Sequence, residues 1–323
     1  MISTRRIFAG LALGFMSGFA CAQSFPSKPI RIVVPYPAGG PIDIVTRPVA
    51  QKLNEAMSSP VIVDNRGGAN GIIGIELVAK APADGYNLIV ASGGSFAINP
   101  NVYAKLPFDV VKDFAPVSLF ITVPELLAVH PALPVKSVKE LIALAKTRPK
   151  QLNYGSSGSG GTPHLAMELL KQSAGVDINH VPYKGMGPAT MDLLGGQVQL
   201  AFADLPVFLQ HVKAGKLRGL AVGTPKRSAV LPEIPTMAES GYPQVEAKNW
   251  YALFVPAGTP KEIVAKLNAE TVKVVNSPEL KAFMQSQGGE ATSSTPEELS
   301  ALLRSELAKW ARVVKAAGGI KVE

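Results

Sequence analysis

The chain has 323 residues, a formal net charge of +8 and a single cysteine. Some 300 residues is ample for two compact lobes, and one thiol excludes an internal disulfide framework. The basic residues are scattered, with no run of five and no aromatic interleaving, which excludes the usual nucleic-acid footprint and leaves a solvated surface that favours anionic solutes.

Arg5 and Arg6 precede an apolar stretch from Ile7 to Ala20, and Ala20-Cys21-Ala22 has the small-x-small pattern of a signal peptidase site. Residues 1–22 therefore read as a signal peptide, cleaved near Ala22, and the mature protein as periplasmic. The stretch falls short of the roughly 20 residues a permanent span needs. Both a general secretory leader and a twin-arginine leader fit Thr4 to Phe8. Gly18 stands where a lipoprotein signal carries leucine, which argues against a lipid anchor at Cys21. Cleavage removes the only cysteine, and loss of Arg5 and Arg6 takes the net charge to +6.

Beyond the leader, β-rich runs alternate with helical periodicity. Ile30 to Pro35, Val61 to Asn65, Asn87 to Ala91 and Val117 to Val123 predict strands, with helices at Ile42 to Met57 and Ile72 to Ala81. From Ser137 the rhythm repeats: helix to Thr147, strand Leu152 to Tyr154, helix Thr162 to Gly175, strand Ile178 to Val181, helix Pro188 to Leu194, strand Leu200 to Ala203, helix Pro206 to Ala214, strand Leu217 to Val222. A Pro- and Gly-dense stretch, a strand over Trp250 to Val255 and three helices led by Pro260, Pro278 and Pro296 follow. Two α/β units with parallel sheets are implied. The helical tail has no strands to build a core of its own, so it is expected to return to the first unit. The resulting expectation is an α/β protein of two lobes, 23–123 plus 248–323 and 124–247, joined by two hinge crossings with a ligand cleft between them.

Four strand-to-helix junctions share one chemistry. Pro41, Pro163, Pro188 and Pro206 stand at or near a first helical position, and glycines at 39, 40, 155, 158, 160, 161, 185 and 187 cluster around them. Such junctions leave backbone N–H groups and a partial positive charge at the strand ends, an anion site that a small ligand can approach closely. Turn chemistry explains any one of them; four together point to a small carboxylate held by backbone amides and hydroxyls.

Catalytic motifs are poor. Gly155 to Thr162 (GSSGSGGT) lacks the lysine of a phosphate loop, and neither a GxSxG elbow nor a GxGxxG fingerprint is present. The four histidines, 130, 164, 180 and 211, have no metal-ligand spacing, so no metal or cofactor is expected. A serine hydrolase using Ser156 or Ser157 with His164 is the enzymatic alternative, and it needs a geometry that sequence proximity does not supply. Asp43 reads as a carboxylate capping its helix. Asp204, after a buried-looking strand, reads equally as a helix cap or as a partner for a ligand ammonium.

"KPIRIVVPYPAGGPIDIVTRPVAQKL", "VDNRGGANGIIGIELVAKAPADGYNLIVAS", "AINPNVY", "NYGSSGSGGTPHLAMELLK", "HVPYKGMGPATMDLLGGQVQLAF" and "AGKLRGLAVGTPKRSAVLPEIPTMAESGYP" together resemble the Bug family of solute receptors, the extracytoplasmic binding subunits of tripartite tricarboxylate transporters. The resemblance covers nearly the whole mature chain. It implies a type II periplasmic binding protein, non-enzymatic and monomeric, that captures a small carboxylate for membrane permease subunits; a ligand sensor without a dedicated permease is a further alternative. By resemblance the carboxylate is gripped by Tyr36, Pro37, Ala38, Gly39 and Gly40 and by the loop with Ser156, Ser157, Gly158 and Gly160. Ser92, Ser95, Phe96, Thr162, His164, Tyr183, Lys184, Gly185 and Asp204 fall around the cleft. Two departures concern the ligand: Pro41 removes an amide donor, and Phe96 replaces an expected polar residue. With Tyr36 and Tyr183, Phe96 suggests an aromatic or otherwise hydrophobic carboxylate.

Overall fold

The computed structural model describes residues 25–316 and Gly319; the predicted leader lies outside the described residues. The chain opens with β1 (Ile30–Val34), α1 (Pro41–Met57), β2 (Val61–Asn65), α2 (Ile72–Ala79) and β3 (Asn87–Ser92). A wide π-helical turn, Gly94–Ile98, leads into the short α3 (Asn99–Val102) and then β4 (Phe114–Val129). Next come α4 (Val138–Thr147), β5 (Asn153–Ser156), α5 (Thr162–Ala174), β6 (Asn179–Pro182), α6 (Met186–Leu194), β7 (Leu200–Asp204), α7 (Leu205–Lys213) and β8 (Arg218–Val222). The chain returns through β9 (Lys248–Pro256), α8 (Lys261–Val275), α9 (Pro278–Ser286), β10 (Glu290–Ala291) and α10 (Pro296–Ala316). Among the described residues no helix is long and apolar enough to cross a membrane.

Strand alternation explains the layers. In β1, Ile30, Ile32 and Val34 point into one core while Val33 points into another, as a period of two requires of a strand buried on both faces. The first core is closed by α1, α8 and α9 through Val45, Leu53, Leu267, Val275 and Met284. The second is closed by α2, the π-helical turn and α10 through Ile75, Phe96, Leu303 and Trp310. In β4, Leu127 and Val129 face α4 and α5, while Leu126 and Ala128 face α6 and α7. Each such large apolar side chain contributes roughly 1.5–3 kcal/mol on burial.

The two halves share a topology. On one side β2-β1-β3 run parallel and β9 inserts antiparallel between β3 and β4; on the other β6-β5-β7 run parallel and the end of β4 inserts antiparallel between β7 and β8. β4 pairs with β9 from Phe114 to Pro124, then with β7 and β8 from Glu125 or Leu126 to Val129. The return passes alongside, since Glu125 N–H donates to Ala247 O (3.1 Å) and Pro124 pairs with Lys248.

β4 is longer than the predicted Val117 to Val123. Pro116 and Pro124, which cannot donate to a ladder, flank the predicted run; the observed strand includes both and accommodates the first with a register shift between Pro116 and Ser118. Likewise α6 starts two residues before Pro188, because proline within a first turn forgoes no helical hydrogen bond.

Candidate functional site

The parallel strands of both halves aim their carboxyl ends at one pocket that opens to solvent. From the first half come Tyr36, Pro37 and Gly40 after β1 and Ser92 and Gly94 at the end of β3. From the second come Ser157, Gly161 and Thr162 after β5, Met186 and Gly187 after β6, and Asp204 at the end of β7. Asn249 and Tyr251 of β9 complete the lining where the chain passes between the halves.

Helix starts dominate this pocket. α1, α5, α6 and α7 begin there, with Gly40, Gly161, Gly185 and Asp204 at their N-caps, and none has a side chain capping its first turn. Outside the pocket α4, α9 and α10 have side-chain caps, with Ser137 accepting from Glu140 N–H, Ser277 from Leu280 N–H and Thr295 from Glu298 N–H, whereas α2, α3 and α8 have none. The pocket helices thus keep unsatisfied N–H groups for an exogenous acceptor, and their dipoles favour an anion. Pro41 withholds one donor from α1. Among the described residues no lysine, arginine or histidine lines the pocket.

Asp43 organises the first loop from behind. Its carboxylate accepts from Gly39 N–H (2.9 Å) and Asn65 Nδ2 (3.0 Å), and Arg47 pairs with it at 2.9 Å. Burial pushes its carboxyl up, but Arg47, Gly39 and Asn65 outweigh that and hold it below the ordinary range. Gly39 carries the turn at φ +78°.

On the floor, Asp204 and Glu125 are register partners on β7 and β4. Tyr251 donates to Asp204 Oδ2 at 2.5 Å and Asn249 Nδ2 lies 3.4 Å from the same oxygen. Asp204 Oδ1 and both Glu125 oxygens are buried without a hydrogen-bond partner. Burial pushes Glu125 well above the usual carboxylate range, helped by the Asp204 charge; it pushes Asp204 up to about 6 against the pull of Tyr251 and Asn249. Burial also raises the Tyr36 phenol, whose hydroxyl lies 3.4 Å from Asn70 O and Oδ1.

The halves also contact each other directly. Asn70 Nδ2 and Tyr103 OH both donate to Ser159 O, at 3.1 and 3.2 Å. Pro37 faces Gly185 so closely that a β-carbon on Gly185 would sit 2.9 Å from Pro37 Cδ.

Of the predicted site residues, Tyr36, Pro37, Gly40, Ser92, Ser157, Thr162 and Asp204 line the pocket. Ala38, Gly39, Gly158, Gly160 and Gly185 shape the flanking loops. Ser95 is buried and exchanges hydrogen bonds with Ser92. Phe96 is a correction: the π-helical turn carries its ring into the core, 5.1 Å from Phe114 and 4.8 Å from Phe254. Tyr183 binds Asp192 at 2.6 Å and Lys184 is exposed, both outside the lining. The aromatic-ligand argument thus keeps only Tyr36. The Ser–His pairing also differs: His164 Nδ1 accepts from Gly160 N–H (3.0 Å), while buried Ser156 Oγ lies 2.6 Å from His180 Nε2. Sequence reasoning missed Asn70, Tyr103, Glu125, Asn249 and Tyr251. Only the Gly67-Gly68 pair before Asn70 gave a signal, marking a turn in which Asn70 takes φ +49°.

The sequence matches a family model described as tripartite tricarboxylate transporter family receptor over residues 45–319. It is 37% identical to Protein BugT of Bordetella pertussis over 92% of this chain and 91% of that protein. A solved R. palustris structure with adipate is similar at TM-score 0.89 and 39% identity, covering 91% of this chain and 98% of that one. MatC from Rhodopseudomonas palustris, with bound malate, is similar at TM-score 0.86 and 30% identity, covering 90% and 100%.

Proposed function

Since the chain belongs to the tripartite tricarboxylate transporter receptor family, we propose that it captures a small organic carboxylate in the cleft between its halves and presents it to a membrane permease. The observation that carries this reading is the convergence of four helix N-termini without side-chain caps on a pocket lacking cationic side chains. A carboxylate seated there takes its hydrogen bonds from first-turn amides and from Ser92, Ser157 and Thr162, and its charge is met by the helix dipoles. Adipate and malate in the two related structures are of the same chemical class.

In this reading the protein is a monomeric periplasmic receptor, not an enzyme, exported by a leader cleaved near Ala22. Its lobes are 23–123 with 248–323, and 124–247, and they rock about the paired crossings at Pro124-Glu125 and Ala247-Lys248. Ligand stabilises the closed arrangement only through contacts that both halves make at once. Calorimetric titration of refolded mature protein against aliphatic, amino and aromatic carboxylates tests it. Saturable one-to-one binding of a carboxylate is expected; silence across the panel, with neutral solutes binding instead, defeats the reading.

A further inference from the structure

We propose that Asp204 determines specificity in the cleft: its free Oδ1 receives a hydrogen-bond-donating group, an ammonium in preference to a hydroxyl, that the ligand carries apart from its carboxylate. The proposal rests on the carboxylate-capture reading above and deepens it.

Three observations converge. Among the described residues Asp204 is the only carboxyl group on the pocket lining, and the other lining side chains are neutral at physiological pH. Its two oxygens are unequally served, with Oδ2 taking Tyr251 OH and Asn249 Nδ2 while Oδ1 is buried with no donor. Although it occupies the N-cap of α7, its side chain does not cap the helix, so the usual structural use of an aspartate there is absent. A buried acceptor without a donor is costly, and a ligand that supplies one recovers that cost on binding.

The groups facing Asp204 set its charge. Glu125 approaches from β4 with no hydrogen bond to stabilise its ionised form, whereas Tyr251 and Asn249 of β9 both donate to Asp204; Tyr36, above, is a neutral phenol. Of the two carboxyls, Glu125 is therefore the one that keeps its proton and Asp204 the one that ionises. The pocket then has two poles, helix N-termini for a carboxylate and Asp204 for a donor. A second ligand carboxylate placed on Asp204 would meet like charge with no cation to offset it.

The test is calorimetric titration of wild type and Asp204→Asn with 4-aminobutyrate, 4-hydroxybutyrate, butyrate and succinate, and with 6-aminohexanoate, 6-hydroxyhexanoate, hexanoate and adipate. In at least one chain length the wild type is expected to bind the amino acid at least tenfold more tightly than the unsubstituted acid, with the hydroxy acid between them and the diacid weakest. Asp204→Asn is expected to lose that preference. Tighter binding of the diacid by wild type, an unchanged order in the variant, or silence of wild type toward all eight acids overturns the proposal alone; the capture reading falls only if the wider panel of carboxylates is silent as well. Should the variant fail to fold, wild type decides: lowering the pH through the Asp204 titration should weaken binding of the amino acid and not that of the unsubstituted acid, and an equal response of both refutes the assignment.

Discussion

Ser156 Oγ and His180 Nε2 lie 2.6 Å apart, inside the second half and closed off from solvent on the serine side. The same hydroxyl accepts from Gly158 N–H (3.2 Å) and lies 3.0 Å from Gly158 O, so it fastens the glycine loop to β6. A nucleophile needs access to its substrate, and this serine has none. Ser156→Ala should cost about 1–3 kcal/mol of stability, because Gly158 N–H and His180 lose a buried partner. Urea denaturation reads the loss. Turnover of small esters by wild type that vanishes in Ser156→Ala would restore the hydrolase alternative.

His180 also stacks on His164 at 4.1 Å, and burial pushes the two imidazoles down, to about 3 and about 4. His164 must stay neutral at Nδ1 to accept from Gly160 N–H. Because both folded values lie below the unfolded value near 6.5, the stability the pair contributes is complete above that pH and is lost as pH falls through the folded values. His164→Gln should therefore lose about 1–2 kcal/mol less than wild type between pH 7 and pH 4.5. Parallel slopes for the two proteins in urea titrations would contradict this.

Glu125 has the opposite sign. Its folded value is raised above the unfolded one, so the folded protein holds a proton that the unfolded chain releases, and stability falls as pH climbs above about 4.5. Glu125→Gln removes this dependence. The variant should gain on wild type with rising pH, on the order of 1–3 kcal/mol by pH 8. A constant difference across pH 5–8 in chemical denaturation would show that Glu125 finds a partner in solution.

How far the sequence foretold these features depends on the distance over which each is encoded. The α/β fold class and the prolines at the four helix starts are local signals, and β1, α1 and β2 lie where the residue patterns put them, to within a residue. Phe96 was misplaced because the resemblance carried a polar cleft position onto it, whereas the π-helical turn rotates the ring onto Phe114 and Phe254. The Ser156–His180 contact spans 24 positions and exists only because β5 and β6 pair in parallel, with Tyr154 opposite His180. Glu125, Asn249 and Tyr251 sit in strands that read as plain core. Their place beneath the cleft follows from β4 and β9 crossing side by side, which no local pattern encodes.

Gly185 and Pro37 face each other from two loops on either side of the pocket. Gly185 holds φ +118° at the start of α6, and a β-carbon there would lie 2.9 Å from Pro37 Cδ. Gly185→Ala therefore combines backbone strain with an obstruction that only the closed arrangement meets. Gly215→Ala separates the two effects: Gly215 holds φ +68° after α7, and nothing lies within 4 Å of a β-carbon placed on it. Gly215→Ala should cost about 1–2 kcal/mol of stability through its positive φ, and Gly185→Ala about 1–3 kcal/mol, because φ +118° with ψ 167° is a conformation essentially reserved for glycine. Ligand affinity should divide them, falling roughly tenfold or more in Gly185→Ala, a loss of about 1.4 kcal/mol, and staying at the wild-type value in Gly215→Ala. Small-angle scattering with saturating ligand should show Gly185→Ala more open than wild type. Equal affinities for the two variants would mean that the Pro37–Gly185 contact is incidental to capture and that the halves hold their ligand without meeting there.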